Sequence, residues 1–322
     1  MEPALQALLG VLLRYVNSLI LILAATFVGV FLADVLFSTG LHGKVGRPLR
    51  PLLRSAKLPE ELSIPMITGV IDSRAEHAMV SSLARGGALS HGEVVCYSLT
   101  SLPFGGTRLI VQYVLPVAIA GLGPLLGATY VALSILGLFI GMAMGLIGGR
   151  ILLAGRRRSL DLKDGAQGGR VDVKRSLLKA ASMAKGVGLR YAVVVVALSI
   201  LVYLGAFDHL RALSTPLARA LLVSPEALPI AATYAVNSTA AILMAGEALR
   251  EGLVAWRDAL AALFVGRVIF AVVSEFPRHS FPFYVSMYQP RLAVKLTLAL
   301  ILYTLVSTPL LVLIVKSLPW PE

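Results

Sequence analysis

The sequence predicts an all-α fold: a polytopic integral membrane protein of two inverted repeats, each with about three transmembrane helices and one re-entrant hairpin. Three observations predict it. The chain is too apolar for a water-soluble domain, apolar blocks of spanning length recur from end to end, and a weak internal repeat has polar centres in segments too short to cross a bilayer.

Of the 322 residues, 57% are hydrophobic and 14% charged, against about 25% charged in an ordinary soluble domain. The mean hydropathy is +0.83. Strong apolar segments fall near residues 5 to 37, 107 to 121, 126 to 154, 187 to 206, 255 to 273 and 292 to 316. Each is long enough, or nearly so, to cross a hydrocarbon core of about 30 Å at about 1.5 Å per helical residue. The block from Ala4 to Leu36, broken only by Arg14 and Asn17, is too long for a signal peptide and is expected to stay as the first span. No linker separates independent units, so one membrane domain is expected.

The formal charge of +12 is gathered in two stretches. One holds Lys44, Arg47, Arg50, Arg54 and Lys57; the other, residues 156 to 185, begins with Arg156, Arg157 and Arg158 and ends with Lys185. Basic residues beside spans mark the cytoplasmic side, so the pattern points to lipid contact and excludes nucleic acid. The expected location is the cell membrane, multi-pass, with the loop 156 to 185 cytoplasmic. The single Cys96 excludes an intramolecular disulfide and any multi-cysteine metal site, and is read as packing.

"VIDSRAEHAMVSSLARGGALSHGEV" (70 to 94) lies over "AVNSTAAILMAGEALREGLVAWRDA" (235 to 259), pairing Asp72-Ser73 with Asn237-Ser238, Met79 with Met244, Arg85 with Arg250, Gly87 with Gly252 and Glu93 with Asp258. Weaker matches follow at other offsets: "LRYV" (13 to 16) with "LRYA" (189 to 192), "STGL" (38 to 41) with "STPL" (214 to 217), and "SLP" (101 to 103) with "SEFP" (274 to 277). The expected division is a first repeat over 1–155, a basic cytoplasmic loop over 156–186 and a second repeat over 187–322. With both basic stretches inside, the first hairpin enters from the cytoplasm and the second from outside. The outer connector, 208 to 226, carries Asp208, Arg211, Arg219 and Glu226 and so has no positive excess, as this layout requires.

Residues 58 to 68 and 73 to 86 are too short to cross, and Gly69 to Asp72 is expected to be the turn between them. Irregular backbone at membrane depth survives only where protein or water surrounds it, so the tip must line an interior. "SRAE" (73 to 76) has the capping-box form, with Ser73 as cap and Glu76 reaching back; Asn237 and Ser238 are suitable caps at the second tip. Two helix N-termini then face the middle with free N–H donors. "SHGE" (90 to 93) is a further capping-box pattern with no functional implication.

The substrate-binding candidates are Asp72, Ser73, Arg74, Asn237, Ser238 and Thr239 at the tips, Arg108 and Gln112 after the break "LPFGG" (102 to 106), Glu275 beside Pro277 with Arg278 across it, and Arg267 inside an apolar helix. Asp72, Glu76 and His77 are candidates to carry a coupling proton or Na+, because ionisable groups are expensive at membrane depth. Arg267 has a structural alternative, an ion pair with Glu247 or Glu275. Tyr113, Tyr284 and Tyr288 read as interfacial anchors. No phosphate loop, zinc-protease or serine-hydrolase motif is present, so no catalytic residues, bound metal or organic cofactor are expected and the chain reads as a non-enzyme. "GLIGGR" (145 to 150) lies within a span, where small residues permit close helix contact. The expected partners are the bilayer and a small-molecule solute, with a homo-oligomer left open.

"PMITGVIDSRAEHAMVSSLARGGALSHGEVVCYSLTSLPF" (65 to 104) resembles the nucleoside-recognition or gate domain, and residues 231 to 277 resemble it more loosely. That family includes the spore maturation proteins and the membrane core of the bacterial ferrous-iron transporter B. The resemblance implies a transporter-like fold with two opposed hairpins and substrate-binding tips at Asp72-Ser73 and Asn237-Ser238. The iron transporter's Gly-Cys near a Pro is missing from this tip, and Val70, Ile71, Ala235 and Val236 provide no aromatic ring for stacking a base. The function expected is a permease or secondary transporter for a small polar or anionic solute bound at the midplane between the tips. The alternatives are a non-transporting membrane scaffold or assembly factor and a divalent metal transporter.

Overall fold

Helices alone can satisfy backbone polar groups within a single segment in an apolar surrounding, and every regular element among the described residues is helical. The computed structural model describes residues 47–153, 173–203 and 223–319, with ten positions between 16 and 31. Most of the first apolar block, residues 156 to 172 of the basic loop and 208 to 222 of the outer connector lie outside the described residues, as do the upstream matches at 38 to 41 and 214 to 217.

In chain order the helices are α1 (Arg50–Ser55), α2 (Ser63–Ile71), α3 (Ser73–Arg85), α4 (His91–Thr100), α5 (Leu102–Leu109), α6 (Leu115–Leu122), α7 (Pro124–Leu152) and α8 (Val173–Tyr203), then α9 (Leu228–Tyr234), α10 (Ser238–Arg250), α11 (Trp256–Phe270), α12 (Phe281–Met287) and α13 (Pro290–Ser317). A widened π segment, Ile110–Val114, joins α5 to α6, and another, Ala271–Ser280, joins α11 to α12. Among the described residues, four continuous stretches are long and apolar enough to cross a membrane: Leu102–Leu122, Pro124–Leu152, Trp256–Met287 and Pro290–Ser317. The protein is all-α and membrane-embedded. Helix α8 begins at Val173, so Lys174, Arg175, Lys179 and Lys185, expected in a loop, lie on a helix.

Two stretches of the chain have the same local build 165 residues apart. Each starts with a 3-10 turn, Glu60–Leu62 or Pro225–Ala227. A short helix and one extended residue follow: Asp72 at φ −152°, ψ 117° and Asn237 at φ −151°, ψ 112°. Helices α3 and α10 then run for 13 residues each. Both end on a glycine in the left-handed region, Gly87 at φ 72° and Gly252 at φ 67°. There Ala88 N–H donates back to Leu83 O and Leu253 N–H to Ala248 O, closing the helix ends. The match continues through a π segment to long final helices of 29 and 28 residues. The "SLP"/"SEFP" match does not survive. Pro103 opens α5 at its second position, whereas Pro277 sits inside the second π segment, whose counterpart is Ile110–Val114. A wide turn absorbs a proline that has no N–H to donate.

Packing crosses between these stretches. One core joins α1–α4 (Leu53, Met66, Val80, Tyr97) to Met287, Leu292 and Leu296; the other joins α9–α11 (Ile230, Ile242, Phe264) to Ala118 and Leu122. Arg85 at the end of α3 donates to the carbonyls of Ser286 and Met287 at the end of α12. Arg250, at the end of α10, donates to Gly121 O at the end of α6. The contacts are reciprocal, since Gly121 and Ser286 are themselves 165 residues apart.

Glycines set how close the helices come. A Cβ on Gly149 of α7 would lie 2.0 Å from Ala56 O, and one on Gly145 2.5 Å from Thr100 Oγ1, so the "GLIGGR" face seats α7 against α1 and α4. Arg150 Nε donates to Ser55 O at 2.9 Å, which fixes α1, with its basic residues, at the end of the bundle where α7 runs into the basic loop.

Candidate functional site

The one-residue break at Asp72 organises the site. Asp72 Oδ1 accepts from Arg74 N–H at 2.7 Å and from Ala75 N–H at 3.1 Å. Asp72, not Ser73, is therefore the cap, and α2 continues to Ile71 instead of turning from Gly69. Asp72 reaches two N–H groups with a short acidic side chain, which leaves Glu76 without a capping role. Glu76 turns inward and is 3% exposed. The capping box at Ser90–Glu93 does form.

Glu76 accepts from Tyr97 Oη at 2.8 Å, and the Ser101 hydroxyl faces it one helical turn further along. Its carboxyl lies over Gly69, where a Cβ would meet Glu76 Oε2 at 2.2 Å. Gly105 of α5 lets that helix approach the same spot, its built Cβ 3.3 Å from Gly69 O. Two glycines thus make the recess that the carboxyl fills. Among the described residues no cation forms an ion pair with Glu76. A buried unpaired carboxylate costs several kcal/mol, so a proton or an entering ligand stabilises this arrangement.

His77, the next residue, meets Tyr288 Oη through Nδ1 at 2.8 Å, and Tyr288 Oη also lies 3.2 Å from the His77 carbonyl oxygen. With the Tyr288 proton on that carbonyl, Nδ1 is the donor and Nε2 is left as an acceptor. Phe283, Tyr284 and Tyr288 surround the imidazole edge-on, with centroids 5.6, 5.2 and 5.9 Å away. Tyr284 and Tyr288 are buried, at 8% and 1% exposure, so they wall this site instead of anchoring an interface.

A cavity of about 330 Å³ opens between the start of α3 and the second π segment. Ser73, Arg74, Glu76 and His77 form one wall, Glu275, His279, Ser280 and Tyr284 the other, and Ser98 and Ser101 of α4 the floor. Its size suits a small ligand. Glu275 lies 3.5 Å from His279 Nδ1 and accepts from Ser280 Oγ at 3.0 Å. Among the described residues no three His, Cys, Asp or Glu side chains converge as metal ligands would.

Of the residues expected from the sequence, the structure brings Ser73, Arg74, Glu76, His77 and Glu275 into this cavity, with Asp72 capping beside it. The second tip does not contribute. Asn237 is exposed and caps α10, accepting from Ala240 N–H at 3.0 Å; Ser238 is half-buried and Thr239 exposed. Arg108 and Gln112 point outward from the first broken span. Arg267 lies among tyrosines and has neither expected ion pair, since Glu247 holds Arg250 and Glu275 faces His279. Tyr97, Ser98, Ser101, His279 and Ser280 are additions. Their signal in the sequence is i,i+4 spacing, Tyr97 with Ser101 and Glu275 with His279, on otherwise apolar helices.

Both caps predict a measurable cost. Asp72→Ala and Asn237→Ala are each expected to lower stability by about 1 kcal/mol, read as a fall in melting temperature in detergent. Only Asp72→Ala is expected to disturb the cavity as well, because the start of α3 carries four of its lining residues.

Fold and site together define a membrane-embedded helical protein with a partly open cavity into which several ionisable and hydroxyl-bearing residues are gathered. Three similar proteins come from Methanocaldococcus jannaschii. "Uncharacterized protein MJ0880" is 24% identical over 297 residues, covering 91% of this chain and 94% of that one. "Uncharacterized protein MJ1556" is 25% identical over 291 residues, covering 89% and 91%. "Uncharacterized protein MJ0871" is 24% identical over 275 residues, covering 84% of each. The similarity runs through most of the length of each chain. No family model matches the chain, and no solved structure matches it.

Proposed function

We propose that this protein is a permease, a secondary transporter that carries a small polar or anionic solute through the cavity between α3 and the second π segment. The observation that carries the reading is the Glu76 carboxyl, buried at 3% exposure on the cavity wall with no cation paired to it among the described residues. A scaffold gains nothing from that cost, whereas a carrier uses such a group to bind a proton or a coupling ion and release it with the solute. Arg74 on the same wall offers the charge for an anionic group on the solute.

The reciprocal clasps support an inverted repeat. When Arg85 holds the end of α12 and Arg250 the end of α6, residues 165 apart exchange roles, as across a two-fold axis. With three spans in each half, that axis lies in the membrane plane and α2–α3 and α9–α10 are re-entrant hairpins entering from opposite faces. The contact of Arg150 with Ser55 sets α1 and its basic residues beside the C-terminal end of α7, in keeping with a single cytoplasmic face. The gate-domain resemblance of residues 65 to 104 points the same way.

The test is uptake into proteoliposomes, with the solute chosen by a melting-temperature screen of nucleosides, amino acids and organic anions. Glu76→Gln keeps the shape but not the charge; its expected effect is at least a tenfold loss of uptake and loss of any dependence on a proton or Na+ gradient. Gradient-driven uptake at the wild-type level in Glu76→Gln would overturn the coupling role. Failure of every preparation to accumulate a solute that binds would favour the scaffold reading.

A further inference from the structure

A second polar cluster lies apart from the cavity. Arg267, half-buried midway along the span Trp256–Met287, faces the hydroxyls of Tyr130 on α7, Tyr234 on α9 and Tyr303 on α13. The three tyrosines are 1%, 7% and 6% exposed. None of the four residues lines the cavity described above.

The cluster has more donors than acceptors. A guanidinium has five N–H donors and no acceptor, and each tyrosine adds one proton. Tyr130 Oη donates to Tyr234 Oη at 3.3 Å. Tyr303 Oη is buried beside the guanidinium yet completes no well-aligned hydrogen bond. The two carboxylates expected to pair with Arg267 are engaged elsewhere, Glu247 with Arg250 and Glu275 with His279. A cation within a span that lacks a carboxylate partner is costly, and the one hydroxyl of the cluster without a hydrogen bond of good geometry, Tyr303 Oη, adds to that cost.

We propose that Arg267, Tyr130, Tyr234 and Tyr303 form a binding site for a small monovalent anion, with the size and charge of a halide or of a carboxylate group. Such an anion accepts the surplus donors and neutralises the guanidinium at once. The surrounding helices are closely packed, a Cβ on Gly266 lying 2.4 Å from Tyr234 Cβ, so the proposed occupant is limited to a small anion. The site has no twin. At the positions 165 residues earlier, Arg267 is matched by Leu102, Tyr234 by Gly69 and Tyr303 by Leu138. Conversely, Glu76 is matched by Ala241 and Tyr97 by Ala262. The acid and the base thus occupy different places in the two stretches, and the anion site stands whether or not the cavity transports.

The experiment titrates chloride, bromide or formate into the full chain in detergent, in a gluconate background at constant ionic strength, and follows the melting temperature. The expected result is a saturable rise with at least one of these anions, abolished in Arg267→Gln and shifted to about tenfold higher concentration in Tyr303→Phe. A response to chloride and bromide alone assigns an inorganic anion, and a response to formate alone a carboxylate. No saturable rise in the wild-type chain, or an equal rise in Arg267→Gln, would overturn the site. Should Arg267→Gln fail to fold, Tyr303→Phe decides: it removes one hydroxyl from the cluster, and an unshifted titration refutes the proposal.

Discussion

Gly246→Ala is expected to destabilise the protein by about 3 kcal/mol or more, visible as a large fall in melting temperature or as loss of a monodisperse species in detergent. A Cβ on Gly246 would lie 1.9 Å from Gly121 O and 2.6 Å from Gly121 C. Both are backbone atoms of α6, so no side chain can swing aside and α10 has to separate from α6. Gly121 is equally confined, its own built Cβ 3.0 Å from Ile242 O. The positions 165 residues away make the contrast. Gly246 corresponds to Ser81 and Gly121 to Ser286, and both serines are fully buried with their hydroxyls on nearby backbone carbonyls. Ser81→Ala is therefore expected to cost far less than Gly246→Ala. Of the two matching stretches the second is therefore the locked one: Gly246 presses α10 onto α6, while α3 meets α12 through side chains, with the cavity alongside. A smaller penalty at 246 than at 81 would contradict this assignment.

Gly69→Ala is expected to leave the fold standing and remove the proposed function. Its Cβ would meet Glu76 Oε2 at 2.2 Å and Glu76 Cδ at 2.8 Å. These atoms end a flexible side chain, so the carboxyl moves while the backbone stays. The expected outcome is a loss of uptake matching that of Glu76→Gln, with a stability change of about 1 kcal/mol or less, within the usual range for point substitutions. The melting curve and the uptake assay together separate this from general damage. Wild-type uptake in Gly69→Ala would show that the position of the Glu76 carboxyl does not matter.

Much of the fold was legible from residues alone. Blocks of apolar sequence at spanning length have one solution in lipid, and the two matching stretches showed themselves because Asp72 and Asn237, and Gly87 and Gly252, do local jobs that residue type dictates: capping and closing a left-handed turn. The site was legible only in part. "SRAE" read alone makes Ser73 the cap and spends Glu76 on it; the aspartate one residue earlier takes the N–H groups and releases Glu76 to the interior. The pairing of "SLP" with "SEFP" failed because a π segment shifts the register in a way that identity matching does not register.

The sequence by itself determined that this chain is helical and membrane-embedded, that one local build occurs twice, and which ionisable residues must find shelter, because burial cost and backbone satisfaction depend on residue type and segment length. Only the tertiary structure decided which of those residues share a space. Glu76 reaches Tyr97 over the recess at Gly69, Glu275 and His279 share a cavity with the start of α3, and Asn237 stays outside. Those choices depend on helix separations set by glycines facing backbone atoms of distant helices, and no periodicity along the chain encodes what stands opposite.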